Sequence, residues 1–313
     1  MTKHAMAKGI ICSALGAIGW GLSGVCSQRL FADYGLDSGW LTAVRMLLSG
    51  LALLIFAASK GPRRLLEPFG SRSDLLWLLA YAFPGLLLCQ FTYLAAIEHS
   101  NSATATVLQS LNVVMMALFM SARRRQRPGA AQLAALACAL AGTFLVATHG
   151  KPGEMALTPA GLAFGLISAA GVLTYTLFSR PITAKYGSAL ITGWGMLIGG
   201  AAPGIAERVW LLPEGLDARA FALIAVIVLV GTAGGFSIFL LGVKYIGPER
   251  ATLIGCLEPA TAAILSALWL QTRFGAAELA GFALITLTVF LSAKSPEAKP
   301  TKEKPTETKN SSG

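Results

Sequence analysis

Ten runs of about 20 mostly apolar residues, the length a membrane-spanning helix requires, occupy most of this chain. They cover 7–28, 39–58, 74–96, 102–121, 129–147, 159–179, 188–206, 219–243, 250–269 and 275–293. A water-soluble fold cannot hide so many. Charged residues are 13% of the 313, about half the roughly 25% of a soluble domain. Too few remain to cover a water-facing surface. Alternating ten-residue strands are absent, so a membrane barrel is not indicated. The fold class read from the sequence is an all-α membrane protein with ten transmembrane helices. Lys3 and Lys8 before the first run resemble a signal peptide, but that run has a counterpart in the second half and is read as a span. The segment from Lys294 onward is rich in Lys, Glu, Pro, Thr and Ser. It cannot bury apolar area and is expected to be disordered.

The net charge of +10 suggests nucleic acid only until its distribution is considered. With the N-terminus in the cytoplasm, 19 of the 25 Lys and Arg residues fall inside and five outside, with Arg45 within a span. That bias follows the positive-inside rule. Arg123, Arg124, Arg125 and Arg127 are then a topology anchor and not a nucleic-acid patch. The expected location is a bacterial inner membrane with both termini cytoplasmic.

The chain repeats itself. A shift of 146 residues places Gly129-Ala130-Ala131-Gln132-Leu133-Ala134 on Gly275-Ala276-Ala277-Glu278-Leu279-Ala280 without a gap. Tyr34-Gly35 matches Tyr186-Gly187 at a shift of 152, and Met46–Gly50 resembles Met196–Gly200 at 150. Residues 1–147 form one five-span repeat and 159–293 the other, with a periplasmic linker at 148–158 and a tail at 294–313. Five is odd, so the second repeat enters the membrane inverted. The loops agree: Arg123–Arg127 carries four arginines and its mate Trp269–Arg273 one. Inverted repeats mark secondary transporters with a midplane site.

Matching interrupted spans point to such a site. Span three has Pro84-Gly85 at its middle, and proline there leaves the Ala80 carbonyl without its helical donor. Its mate, span eight, has Gly231-Thr232-Ala233-Gly234-Gly235, with Gly231 under Gly85. Both spans are expected to bend or flex at the same depth. Gly161, Gly165, Gly195 and Gly199 are read as close-packing positions. In span nine, Glu258-Pro259 sits centrally, and Pro259 frees the carbonyl of Gly255. The same shift sets Asn112 under Glu258, Gln109 under Gly255 and Thr106 under Thr252. Spacing of three and three keeps each trio near one helix face.

A carboxylate at the bilayer centre is costly and faces a cavity or a partner. Glu258 can line a site, pair with a substrate ammonium, carry protons, or serve as a structural carboxyl. Asn112 can line the site or bond a neighbouring helix. Arg45 is read as structural, snorkelling outward or pairing with a carboxylate. Trp20, Tyr81, Tyr93, Tyr175 and Trp194 are span aromatics with polar handles, suited to an amphipathic solute or cation or to plain packing. The candidate substrate-binding residues are therefore Trp20, Tyr81, Gln109, Asn112, Tyr175, Trp194 and Glu258. The candidate hinges are Pro84, Gly85, Gly231, Gly234, Gly235 and Pro259.

Cys12, Cys26, Cys89, Cys138 and Cys256 are scattered in apolar spans without a C-x-x-C and read as small hydrophobes. His4, His99 and His149 are too sparse for a metal site. No phosphate-binding loop or hydrolase motif is present, so no cofactor, metal or catalytic residue is assigned and the chain is not read as an enzyme. The expected partners are a small-molecule substrate and the lipid bilayer, with no nucleic acid.

With these residues, ten spans in two inverted repeats resemble the drug/metabolite transporter superfamily, EamA-like exporter branch, over about residues 7–293. Arg45-Met46-Leu47-Leu48 matches the family's second span. Pro259 matches the proline of the fourth span of a repeat, while Val113 stands at its mate. The family often closes that stretch with Leu-Gly-Glu; here Leu270-Gln271-Thr272 and, in the first repeat, Gln126 depart from it. In overall character the chain is similar to aromatic amino-acid exporters. The resemblance implies alternating-access export of a small metabolite, an amino acid first. The competing class is an intramembrane enzyme or lipid-handling protein with the same span count.

Overall fold

The computed structural model describes residues 3–59, 61, 64–123, 125, 129–151, 157–246, 251, 254–255 and 257–293. Lys60, Arg63, Arg124, Gln126, Arg127, Arg250, Thr252, Cys256 and the tail from Lys294 lie outside the described residues, as do residues 152–156 of the linker.

Every regular element among the described residues is helical. They are α1 (Lys3–Tyr34), α2 (Ser38–Ala58), a 3₁₀ turn at Glu67–Phe69, and α3 (Arg72–Ala80), which runs through a π-helical stretch at Tyr81–Leu87 into α4 (Leu88–Glu98). Next come α5 (Ser102–Gln109), α6 (Asn112–Arg123), α7 (Ala130–Thr148), α8 (Pro159–Tyr186) and α9 (Ser188–Ala206). Finally α10 (Ala218–Ala225) runs through a second π-helical stretch at Val226–Gly234 into α11 (Gly235–Ile246), followed by α12 (Leu257–Trp269) and α13 (Ala276–Ala293). Among the described residues, eight helices are long and apolar enough to cross a membrane, with α3–α4, α5–α6 and α10–α11 each counting once. The expected ninth and tenth spans correspond to shorter apolar helices, Leu257–Trp269 and Ala276–Leu291.

Local sequence sets the helix ends. Asp37, Asn101, Thr158 and Asp217 each accept backbone N–H groups of the helix that follows, meeting donors that have no intrahelical partner. The repeated hexapeptide builds the same start twice. The Gln132 side chain accepts from Gly129 N at 3.0 Å, and Glu278 accepts from Gly275 N at 3.3 Å. The repeated Tyr-Gly pair builds the same stop twice: Gly35 at φ 60° ends α1 and Gly187 at φ 87° ends α8. Positive φ is cheap only for glycine.

The helices of the two halves interleave. α2 packs on α9, α7 on α13, α1 on α11 and α12, and α8 on α4 and α5. Each of these contacts joins residues 1–147 to residues 159–293. The three buried apolar clusters accordingly draw on both halves, as where Met46, Leu78 and Tyr81 meet Ile182, Ile191 and Met196. On the outside, Ile11, Leu51, Ile55, Leu140, Phe144, Leu229, Ile264 and Leu287 are exposed. An apolar exterior of this extent suits lipid.

Glycines at the crossings let the backbones approach. A Cβ on Gly50 would lie 2.9 Å from the Gly193 carbonyl oxygen, and one on Gly142 would lie 2.9 Å from that of Gly281. Gly161, Gly165, Gly195 and Gly199 face His99, Leu108, Tyr81 and Ala82 at similarly short range, in keeping with close packing.

Candidate substrate site

Both expected interruptions are π-helical. Tyr81–Leu87 contains Pro84 and Gly85, and Val226–Gly234 contains Gly231 and Gly234. A π turn has one residue too many for the α-helical ladder and is common at functional sites. In the first, the exposed Pro84 lacks an N–H, and its carbonyl accepts the Thr174 hydroxyl of α8 at 2.6 Å. In the second, the Thr232 hydroxyl turns back to the Ile227 carbonyl at 2.8 Å. Gly85 lies against Tyr175, and Gly231 lies against Ser23. Gly235 follows the second π stretch and carries the edge of Trp20: a Cβ there would lie 2.8 Å from the indole nitrogen.

Between these stretches lies a buried polar group. Arg45 of α2 is 7% exposed and Gln90 of α4 is 5% exposed. Arg45 Nη2 donates to Gln90 Oε1. Its Nε and Nη1, and Nε2 of Gln90, have no protein partner. Arg45 therefore does not snorkel outward, and its direct partner is an amide, not a carboxylate.

Glu258 of α12, preceded by the helical residues Ile254 and Gly255, is partly buried. α2 packs on α4, α4 on α8, and α1 on both α4 and α12, so Arg45, Gln90 and Glu258 stand on elements that meet at one interior. No hydrogen bond from Arg45 reaches Glu258. α1 closes the group with small residues: a Cβ on Gly21 would lie 2.7 Å from the Glu258 carbonyl oxygen, and one on Gly24 would lie 2.7 Å from the Tyr93 hydroxyl. That hydroxyl is 2.9 Å from the Thr106 hydroxyl.

The other sequence-derived candidates fall into two sets. Tyr81 pairs its hydroxyl with Thr192 at 3.1 Å and meets the Tyr175 ring edge-on at 6.5 Å. Gln109 donates to Ser168 at 2.6 Å and lies beside Cys89. Trp20 packs on Phe236 and Phe239, its indole nitrogen buried without a partner. These side chains face the interior elements already named. Asn112 instead donates to the Gln109 carbonyl at 2.7 Å, across the Ser110–Leu111 break between α5 and α6. Trp194 donates to the Leu65 carbonyl at 2.8 Å and stacks edge-on with Phe69, tying its indole to the segment before α3. Pro259 is buried beside Glu258.

The sequence alone points to a structural Arg45, names Tyr93 as a span aromatic without placing it in the site, and does not single out Gln90. An amide in the middle of an apolar span was the available signal for Gln90. The Arg45–Gln90 bond is not a local pattern, because it depends on how α2 and α4 cross.

The EamA-like transporter family model matches the chain twice, over residues 7–148 and 159–294. An uncharacterised inner membrane transporter of Salmonella typhimurium, YicL, is 36% identical over 287 residues, covering 91% of this chain and 94% of the relative. A solved crystal structure shares the fold at TM-score 0.60 and 16% identity, over 93% of this chain and 97% of the other. With both halves matched by the family and the long relative in agreement, the chain belongs to the EamA-like transporter family.

Proposed function

We propose that this protein is an inner-membrane secondary transporter that exports small organic metabolites, amino acids foremost, by alternating access of two inverted five-helix repeats around the Arg45–Gln90–Glu258 interior. The observation that carries the reading is a buried cation and a carboxyl held without direct pairing, among aromatic rings, beside two π-interrupted spans. Charged groups at such depth are expensive and mark substrate or ion pathways. The name of the Salmonella relative supports the inner membrane and transport.

Paired contacts support the inverted repeat. The shift of 146 carries Gly85 to Gly231, and the shift of 152 carries Ser23 to Tyr175. The Gly85–Tyr175 and Gly231–Ser23 contacts thus exchange under the repeat. The cytoplasmic position of both termini rests on the lysine and arginine distribution. Amino acids fit because a zwitterion matches the opposite charges of Arg45 and Glu258, with apolar side chains received by Trp20, Phe236 and Tyr175.

The test is counterflow of labelled amino acids in proteoliposomes of the purified protein. Saturable exchange of at least one amino acid, lost in Glu258→Gln while the variant remains folded, is the expected result. Absence of flux for every amino acid and amine tested contradicts transport by this interior. Unaltered flux in Glu258→Gln assigns the carboxyl a structural part.

A further inference from the structure

Arg45 is the one side chain of the interior whose charge is fixed under physiological conditions, since a guanidinium does not deprotonate in proteins. It is nine-tenths buried, and of its three nitrogens only Nη2 has a protein partner. That partner is a neutral amide oxygen. The same amide turns its own Nε2 donor into the interior without a partner. Three buried donor nitrogens around one positive charge therefore await an acceptor. Leaving such donors unsatisfied is costly.

No protein acceptor lies within bonding distance of these donors. The Tyr93 and Thr106 hydroxyls bond each other. Ser168 accepts from Gln109. Cys89 offers only a thiol, and Glu258 makes no hydrogen bond to Arg45. What these donors fit is a carboxylate: Nη2 keeps a second N–H beside the one given to Gln90, and that N–H together with Nη1 or Nε makes the parallel N–H···O pair a guanidinium offers to two oxygens in a plane.

We propose that Arg45 and Gln90 form the anchor for the carboxylate of the transported solute, with Glu258 facing its ammonium. This rests on the transport reading above and assigns each end of the substrate to a residue. The charge balance restricts the ligand. A zwitterion adds no net charge and gives both Arg45 and Glu258 a direct partner. A simple amine leaves the Arg45 donors unsatisfied, and a simple carboxylic acid leaves Glu258 without a counter-charge. The selected class is an α-amino acid with both termini free. Gln90 acts with Arg45 as a positioning residue, since its Oε1 holds Nη2 and fixes the plane of the guanidinium.

The experiment compares three forms of one solute. Thermal unfolding of the purified full chain is screened against the protein amino acids, and the strongest stabiliser is retested as its carboxamide and as its decarboxylated amine. The carboxamide and the amine are expected to bind about 10- to 100-fold more weakly than the acid, the loss that follows from removing charge-assisted hydrogen bonds. In Arg45→Gln the acid should fall to the level of the carboxamide, and in Gln90→Leu the gap should narrow. Where Arg45→Gln fails to fold, the acid-to-carboxamide ratio on the parent protein decides the matter alone. Equal affinity of acid and carboxamide for the parent overturns the anchor and leaves transport standing. No stabilisation by any amino acid, together with flux of amines alone, overturns the amino-acid reading as well as the anchor.

Discussion

Gly231 shows how one residue can hold two roles that a single substitution would confuse. As an interruption in span eight it invites replacement by alanine, which favours regular helix by about 1 kcal/mol. Yet a Cβ at this position would lie 2.2 Å from the Ser23 Cβ, and neither atom belongs to a flexible chain end. Gly231→Ala is therefore expected to destabilise the protein by about 1–3 kcal/mol through overpacking, seen as a lower Tm. Ser23→Gly in the same chain should recover most of that loss. Recovery of Tm without recovery of flux would then isolate the effect on helix motion, and failure of Ser23→Gly to restore Tm would show that the contact is not the cause. Residue-scale legibility was uneven for a physical reason. Glu258, Pro84 and Gly231 announce themselves as costly or irregular groups in apolar runs. Asn112 also announced itself, but its amide is taken by the Gln109 carbonyl one turn away, a local demand at a helix break. Trp194 is likewise committed to Leu65, a contact 129 residues apart in sequence that no pattern along the chain encodes.

At the scale of elements, the two ends of the bundle carry matching fasteners. Tyr34, at the end of α1, donates to Asp217 at 2.7 Å, just before α10. Tyr186, at the end of α8, donates to Asp74 at 2.6 Å, and Lys185 joins the same carboxylate at 2.5 Å. The tyrosines are the repeated Tyr-Gly pair, so one short motif supplies both a helix stop and a tether to the partner half. The Tyr34 hydroxyl, aided by the backbone N–H groups of Ala220 and Arg219, holds the Asp217 carboxyl below its ordinary range against a smaller opposing effect of desolvation. A depressed carboxyl favours the folded state above its unfolded value and loses that contribution as pH falls through the lowered value. Tyr34→Phe should therefore reduce Tm at neutral pH, with the difference from the parent shrinking in acid below the ordinary aspartate range near pH 4. A difference that stays constant across that range would indicate lost packing and not a lost hydrogen bond. The element boundaries around these ends were legible because caps and left-handed glycines are local. The π stretches were legible as interruptions, from Pro84-Gly85 and the glycine cluster at 231–235, though not as π-helix, which depends on how Thr174 and Ser23 pack against them.

The whole molecule reads as two sequence repeats that share their cores. Apolar spans and the repeated hexapeptide were visible in one dimension, whereas the interleaving of α2 with α9 and α7 with α13 arises only when backbones can approach at their glycines. The polar interior is a product of that interleaving, since Arg45, Gln90, Ser168 and Glu258 come from four separate spans. Cys89 supplies a native reporter at this place: it is 5% exposed and adjoins Gln109 and Ser168. With Cys12, Cys26, Cys138 and Cys256 replaced, the single remaining thiol can be titrated in sealed vesicles with a small impermeant thiosulfonate added from either face. Alternating access around this interior predicts modification of Cys89 from both faces, slowed in each case by a saturating exported amino acid. Modification from one face only, or at a rate that the amino acid does not change, would contradict a path between the two repeats past Arg45 and Glu258.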